Sequence, residues 1–257
     1  LLRQSFLDLL DQELEEQRYQ TYLEENTPLI PMEFIQNHGL HLDMVLRKPP
    51  LGKDYTPDFC YLSKSSIDWN CVLVELEKPS SRYFKDGGND FHPNFSAALQ
   101  QISKWRAWVE SDSNKKHFTR EILGPLKVPS TMASNPTYIK YVLVHGRRSE
   151  LGENAQRRRL VKAQERDDFK IMSYDSLVEN LSSRSLAYIG IRKNEHIEVV
   201  SKRFAGDSLF VWADSSHLKI SKELKADIEA SKAHYFSHSL KGGFAIEHVL
   251  PKISLAS

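Results

Sequence analysis

The sequence predicts an α/β domain built on a mixed sheet flanked by helices, and three observations carry that expectation. Three strand-like segments between residues 40 and 77 are joined by turns too short for a crossover, which favours antiparallel pairing. A fourth, YIKYVLVHG at 138–146, follows an amphipathic helix able to carry a crossover to a further strand. A helical segment precedes the first strand, and strand and helix patterns alternate again after the fourth.

Taken in order, residues 3–26 read as helix because Phe6, Leu9, Leu10, Leu14, Tyr22 and Leu23 recur at helical spacing. Pro28 and Pro31 stop it. LHLDMVL at 40–46 alternates as a strand, and YTPDFCYL at 55–62 is a second that tolerates Pro57 near its start. WNCVLVELE at 69–77 is the most apolar and is expected at the centre. A polar loop of sixteen residues, 79–94, follows; that length suggests a functional or mobile loop. Residues 95–109 form a helix whose apolar face holds Phe95, Ala98, Leu99, Ile102, Trp105 and Val109. Residues 147–167 are charged and read as helical, and 169–181 read as a short strand and then a helix. Beyond 186, segments 197–204 and 208–220 read as strands and 221–236 as a helix. The expected organisation is a domain over 1–185 and a C-terminal extension over 186–257 that can pack on the same domain.

Composition narrows the classes. A chain of 257 residues can bury roughly 70 to 75 % of its unfolded surface in one large domain. Lys plus Arg (35) balance Asp plus Glu (34), so any nucleic-acid affinity must come from local patches. Candidate patches are Lys115 with Lys116 and His117, Arg147 with Arg148, and Arg157 to Arg159 with Lys162. Arg147 and Arg148, leaving a core strand, are the best placed to meet phosphates. Two cysteines, Cys60 and Cys71, exclude a disulfide scaffold and suggest a reducing compartment. No apolar run reaches the length of a membrane span. The opening LLRQSFLDLLDQ reads as a helix that begins mid-protein, so a longer parent chain is expected.

No nucleotide-binding glycine motif, nucleophile elbow, HExxH or zinc spacing is present. Among ten scattered histidines, His234 and His238 are four apart and His92 follows the third strand, so these are the ones to watch. Trp105 and Trp108 are expected to pack rather than to stack on bases.

The chemistry concentrates in the second and third strands. Alternation places Leu73, Glu75 and Glu77 on one face of the third strand, and Thr56, Asp58 and Cys60 on one face of the second. If the two are neighbours, Asp58 lies beside Glu75. Carboxylates in such a position are costly unless they pair or bind metal, and each raises the pKa of the next. Ion pairs with surface lysines and turn chemistry at Asp58 would be the structural explanation. Mg²⁺, which takes oxygen ligands and keeps several waters, would be the functional one.

TPDF at 56–59, VELEKP at 74–79 and ALQQISKW at 98–105 together resemble the PD-(D/E)xK nuclease superfamily, and more narrowly the nuclease domain of the Shedu family of bacterial anti-phage defence proteins. YLEENTPLI at 22–30, YVLVHGRR at 141–148 and IMSYDSLVENL at 171–181 extend the likeness over about residues 12–185. The resemblance implies a restriction-endonuclease-like core and a Mg²⁺- or Mn²⁺-dependent DNA endonuclease of the bacterial cytoplasm, working as a homo-oligomer and restrained by an N-terminal region. It implies metal binding by Asp58 and Glu75, with Glu77 as a further ligand, and a positioning role for Gln101. Glu16 matches the acid on the family's first helix, with Glu24 and Glu25 as rivals. One departure stands out: the family's lysine, two positions after the second acid, is Glu77 here, and Lys78 comes one later. Either Lys78 swings back as the strand ends at Pro79, or Glu77 replaces the lysine, or the site is silent and the fold serves as a non-catalytic binding module for nucleic acid or protein.

Overall fold

The structure, a computed structural model, describes residues 1–235 and 250–256. Two helices open the chain, α1 (Leu2–Leu10) and α2 (Glu16–Glu25). Three strands follow as an antiparallel meander: β1 (Leu40–Arg47), β2 (Phe59–Lys64) and β3 (Trp69–Leu76). Helix α3 (Pro93–Glu110) and the short α4 (Asp112–His117) lead to β4 (Thr137–Val144), which runs parallel to β3 from Trp69↔Thr137 to Leu76↔Val144. Helix α5 (Ala155–Lys162) then leads to β5 (Phe169–Met172), parallel to β4. This is the expected mixed sheet flanked by helices.

The chain after residue 186 continues that same sheet. Strand β6 (Tyr188–Arg192) pairs in parallel with the free edge of β1. β7 (Ile197–Val199), α6 (Ser208–Trp212), β8 (Leu218–Ile220), α7 (Lys222–Tyr235) and β9 (Ser254–Leu255) complete the described elements. The strand order is β5-β4-β3-β2-β1-β6-β7-β8-β9.

Both faces of the central strands are dry, which is why β3 is an almost continuous apolar run. On one face Cys60, Cys71, Leu73, Tyr141 and Leu143 pack against Phe95, Ala98, Ile102 and Trp105 of α3. On the other, Tyr61, Val72, Val74, Val142 and Val144 pack against Phe6 of α1, Tyr19 and Leu23 of α2, and Tyr174. Each large side chain so buried contributes about 1.5 to 3 kcal/mol. Trp105 belongs to this core, and Trp108 lies half-buried beneath Gly52. Cys60 and Cys71 are free thiols on neighbouring strands, with Sγ atoms 3.5 Å apart.

Several elements differ from expectation. The helix read over 3–26 breaks at 11–15, where the Tyr19 hydroxyl takes up backbone groups of the gap: it donates to the Gln12 carbonyl and accepts from the Leu14 N–H at 3.1 Å. The second strand starts at Phe59, not at 55. Only Ala155–Lys162 of the 147–167 segment is α-helical, and 174–178 is a 3₁₀ turn. SLFVW at 208–212 is a helix, not a strand.

The 79–94 loop is pinned at its centre. Tyr83 and Phe84 are buried, and their N–H groups donate to the Glu150 carboxylate at 2.8 and 3.0 Å. Gly146, at φ +56°, lets the loop pass so closely that an added Cβ would lie 2.6 Å from the Ser81 carbonyl oxygen. His92 serves as the N-cap of α3, its Nδ1 accepting from the Asn94 N–H at 3.2 Å. The side chain of His234 and all of His238 lie outside the described residues.

Candidate functional site

The acids gather where β2 begins and β3 ends. The last β2–β3 pair is Phe59↔Val74, so Leu76 lies beyond the ladder and its N–H has no strand carbonyl on that side. The Asp58 carboxylate fills the gap, accepting that N–H at 2.8 Å. Asp58 is only 7 % exposed, and its neighbour across the strands is Glu75. The adjacency expected from alternation is therefore present.

Electrostatics tie four acids together. Burial pushes the Asp58 carboxyl up to about 6, against the opposing pull of the Leu76 N–H, and Glu16 adds to the rise. Burial pushes Glu75 up to about 9, with Asp58, Glu77 and Glu16 each adding to it. Glu77 is raised to about 7 by burial, then by Glu16 and Asp58. Glu16 is itself raised by burial. It stands in the first turn of α2, and the break after α1 puts that turn at the strand ends. Of its rivals, Glu24 is paired with Arg47 at 2.9 Å and adds only a minor push to Asp58, while Glu25 is exposed.

Two lysines near the strand ends differ in what they meet. Lys78 turns to Glu15, with Nζ 2.7 Å from its carboxylate, though its charge still reaches Glu16. The cation that acts on Asp58 and Glu75, as well as on Glu16, is Lys48. Its backbone N–H donates to the Asp58 carbonyl at 2.9 Å, and it holds φ +47°, an uncommon conformation for a residue with a side chain. Sequence reasoning passed over Lys48. The signal available was a lysine at a strand end before Pro49 and Pro50, where the chain must turn sharply.

Gln101 is half-buried on α3, on the side of the sheet that Glu75 shares with Leu73 and Cys71; among the described residues its amide makes no hydrogen bond to Asp58 or Glu75. Arg147 and Arg148 are engaged within the protein. Arg147 bridges Asp175 at 3.0 Å and Asp11 at 2.8 Å, tying the end of β4 to α1, and Arg148 pairs with Glu179. Burial works against the Asp175 charge, but Arg147 and the Arg148 N–H outweigh it and hold its pKa below the usual value.

Among the described residues, no three His, Cys, Asp or Glu side chains form a ready coordination group for a metal ion. The chemistry of the donors nevertheless fits a hard divalent cation. All are carboxylates, they disfavour one another's ionisation, and a bound cation reverses that effect. Mg²⁺ needs only one or two carboxylates, since waters and substrate phosphates complete its shell.

Among the described residues no helix is long and apolar enough to cross a membrane. Comparison with curated proteins returned no match. A family model described as Shedu protein SduA, C-terminal, matches residues 13–178, which include Glu16, Lys48, Asp58, Glu75, Glu77 and Gln101. That span exceeds half of the chain, and the chain belongs to this Shedu family.

Proposed function

We propose that this domain is a divalent-metal-dependent DNA endonuclease acting in anti-phage defence, on a core of the PD-(D/E)xK kind. Family membership suggests the defence role. The observation that carries the enzymatic reading is the carboxylate group at the β2–β3 ends, with Asp58 buried and Glu75 raised to about 9. A fold that holds acids in this state gives up stability, and a cation restores it.

Asp58 and Glu75 would hold Mg²⁺ or Mn²⁺, with Glu77 and Glu16 as further acids whose charge reaches them. Once bound, the cation would supply Lewis acidity toward the phosphodiester and neutralise the acids. Glu77, two positions after Glu75 on the same strand face, would accept a proton from the attacking water once a bound cation has brought it to the ionised form. The water oxygen would add to phosphorus as its proton passes to Glu77, one P–O ester bond would break, and the departing oxygen would take a proton from solvent water and leave as a hydroxyl. Lys48, held beside Asp58 by its backbone, offers positive charge to the phosphate oxygens, the part that a lysine at position 77 would otherwise play.

A non-catalytic binding module for nucleic acid or protein is the second reading. It is favoured by the pairing of Lys78 with Glu15, which leaves the carboxylates without the family's lysine. Thermal melting with Mn²⁺ separates the two. Ligand carboxylates must lose their protons to bind, so the stabilisation by Mn²⁺ should grow from pH 6.5 to 8.5. Glu75→Gln should remove it. No shift in the wild-type protein at either pH would favour the binding module.

A further inference from the structure

A second charged feature lies at the other end of β3. An open cleft of about 610 Å³ is lined by Lys115, Lys116, Arg120 and Lys127, with Asp112 the one acid among its described lining residues. Thr137, which pairs with Trp69 at the start of β3, also lines it. Glu75 is six residues further along the strand, so the cleft is roughly 20 Å from the carboxylates.

A run of lysines on a short helix is usually a solvated face, and lysines near a helix C-terminus also answer its dipole. Lys127 is different. It comes from another segment and is 8 % exposed. Its ammonium donates to the Asn135 carbonyl at 3.3 Å and the Thr137 hydroxyl at 3.1 Å, and sits 5.5 Å from the Trp69 ring centroid. All these partners are neutral. Among the described residues no carboxylate pairs with Lys127, Lys115 or Lys116. A covered cation without a counter-charge is costly, and the cleft above it is where an anion would settle the cost. Tyr138, 52 % exposed, lines the same cleft and offers an aromatic face beside the cations. Cations with an adjacent exposed ring are the elements that hold a nucleic-acid strand by phosphate contact and base stacking.

We propose that this cleft binds the phosphate backbone of a nucleic-acid strand, at a place separate from the carboxylates. The proposal holds whether or not the carboxylates cut, so its test is run without cleavage. Binding of a fluorescent single-stranded DNA of about 20 nucleotides is followed by anisotropy in EDTA over a range of salt concentrations. Lys115 and Lys116 are exposed, so the K115E/K116E double variant should stay folded, its melting temperature lowered by a few degrees at most through the lost helix-dipole contact. It should bind about ten-fold or more weakly, with a salt slope shallower by about two. Tyr138→Ser should weaken binding and leave the slope unchanged. Inorganic phosphate, matched to the DNA in phosphate concentration, should not displace the strand. Three results would overturn the proposal: no binding by the wild type, equal affinity and slope in K115E/K116E, or full displacement by matched inorganic phosphate, which would assign the cleft to a small phosphate ligand.

Discussion

The Asp58 carboxylate accepts the Leu76 N–H at 2.8 Å, and this one bond fixes a candidate ligand to the strand that carries Glu75. Asp58 therefore has a structural duty beside any chemical one. Asp58→Ala leaves a buried N–H without an acceptor, at about 1 to 3 kcal/mol. Asp58→Asn keeps an acceptor and removes a charge that burial disfavours. In EDTA at neutral pH, denaturant titration should rank Asp58→Asn above Asp58→Ala in stability, while both lose the stabilisation by Mn²⁺. The opposite order would mean that the bond to Leu76 contributes little.

Glu75 is the most strongly raised of the strand-end carboxyls and adds to the pH dependence that Glu77 and Asp58 also give the metal-free protein. Its folded pKa, about 9, lies above the ordinary 4.5, so the folded state holds a proton that the unfolded state releases. Stability from this group is whole below about pH 4.5 and is lost progressively up to about pH 9. His41 and His145, lowered to about 4 and about 3 chiefly by burial, act in the opposite sense only below their ordinary 6.5. Between pH 6.5 and 8.5 in EDTA, the melting temperature should fall more steeply in wild type than in Glu75→Gln. Parallel curves would place the Glu75 carboxyl in an ordinary aqueous setting.

Lys48 and Lys78 should separate in kinetics. Lys48→Met removes the cation that reaches Asp58 and Glu75, and cleavage should fall by about 10²-fold. Lys78→Met breaks an exposed pair with Glu15 and should change cleavage by less than about three-fold. The reverse pattern would return the family's lysine role to Lys78.

Arg147 should prove structural. Its guanidinium joins Asp175 of the 174–178 turn to Asp11 at the end of α1. Arg147→Ala should cost on the order of 1 kcal/mol, Asp11 being mostly in solvent. The salt slope of DNA binding should stay unchanged, since no phosphate contact is lost. A slope shallower by about one would restore Arg147 as a phosphate ligand.

These residues also show what the sequence could reveal. Alternation was enough to put Asp58 beside Glu75, because period-two geometry is local and the strands are joined by a short turn. The long apolar segments gave β3, α3 and β4 nearly to the residue. Contacts between distant residues were not legible. Glu150 pins the 79–94 loop from more than sixty positions away, and Arg147 finds Asp175 and Asp11 instead of solvent. The break before α2 depends on one tyrosine hydroxyl, and the reach of Lys48 to the acids on a left-handed φ that Pro49 and Pro50 signal only as a sharp turn. SLFVW, five residues without clear period, reads equally as strand or helix.

The decisive measurement is cleavage of linear and supercoiled DNA by wild type and Asp58→Asn, with Mg²⁺ or Mn²⁺ and with EDTA. A carboxylate-centred nuclease predicts cutting by wild type with metal, none in EDTA, and none by the folded Asp58→Asn protein. Undiminished cutting in EDTA or by Asp58→Asn would contradict it, as would a folded wild type that binds Mn²⁺ yet leaves both DNA forms intact.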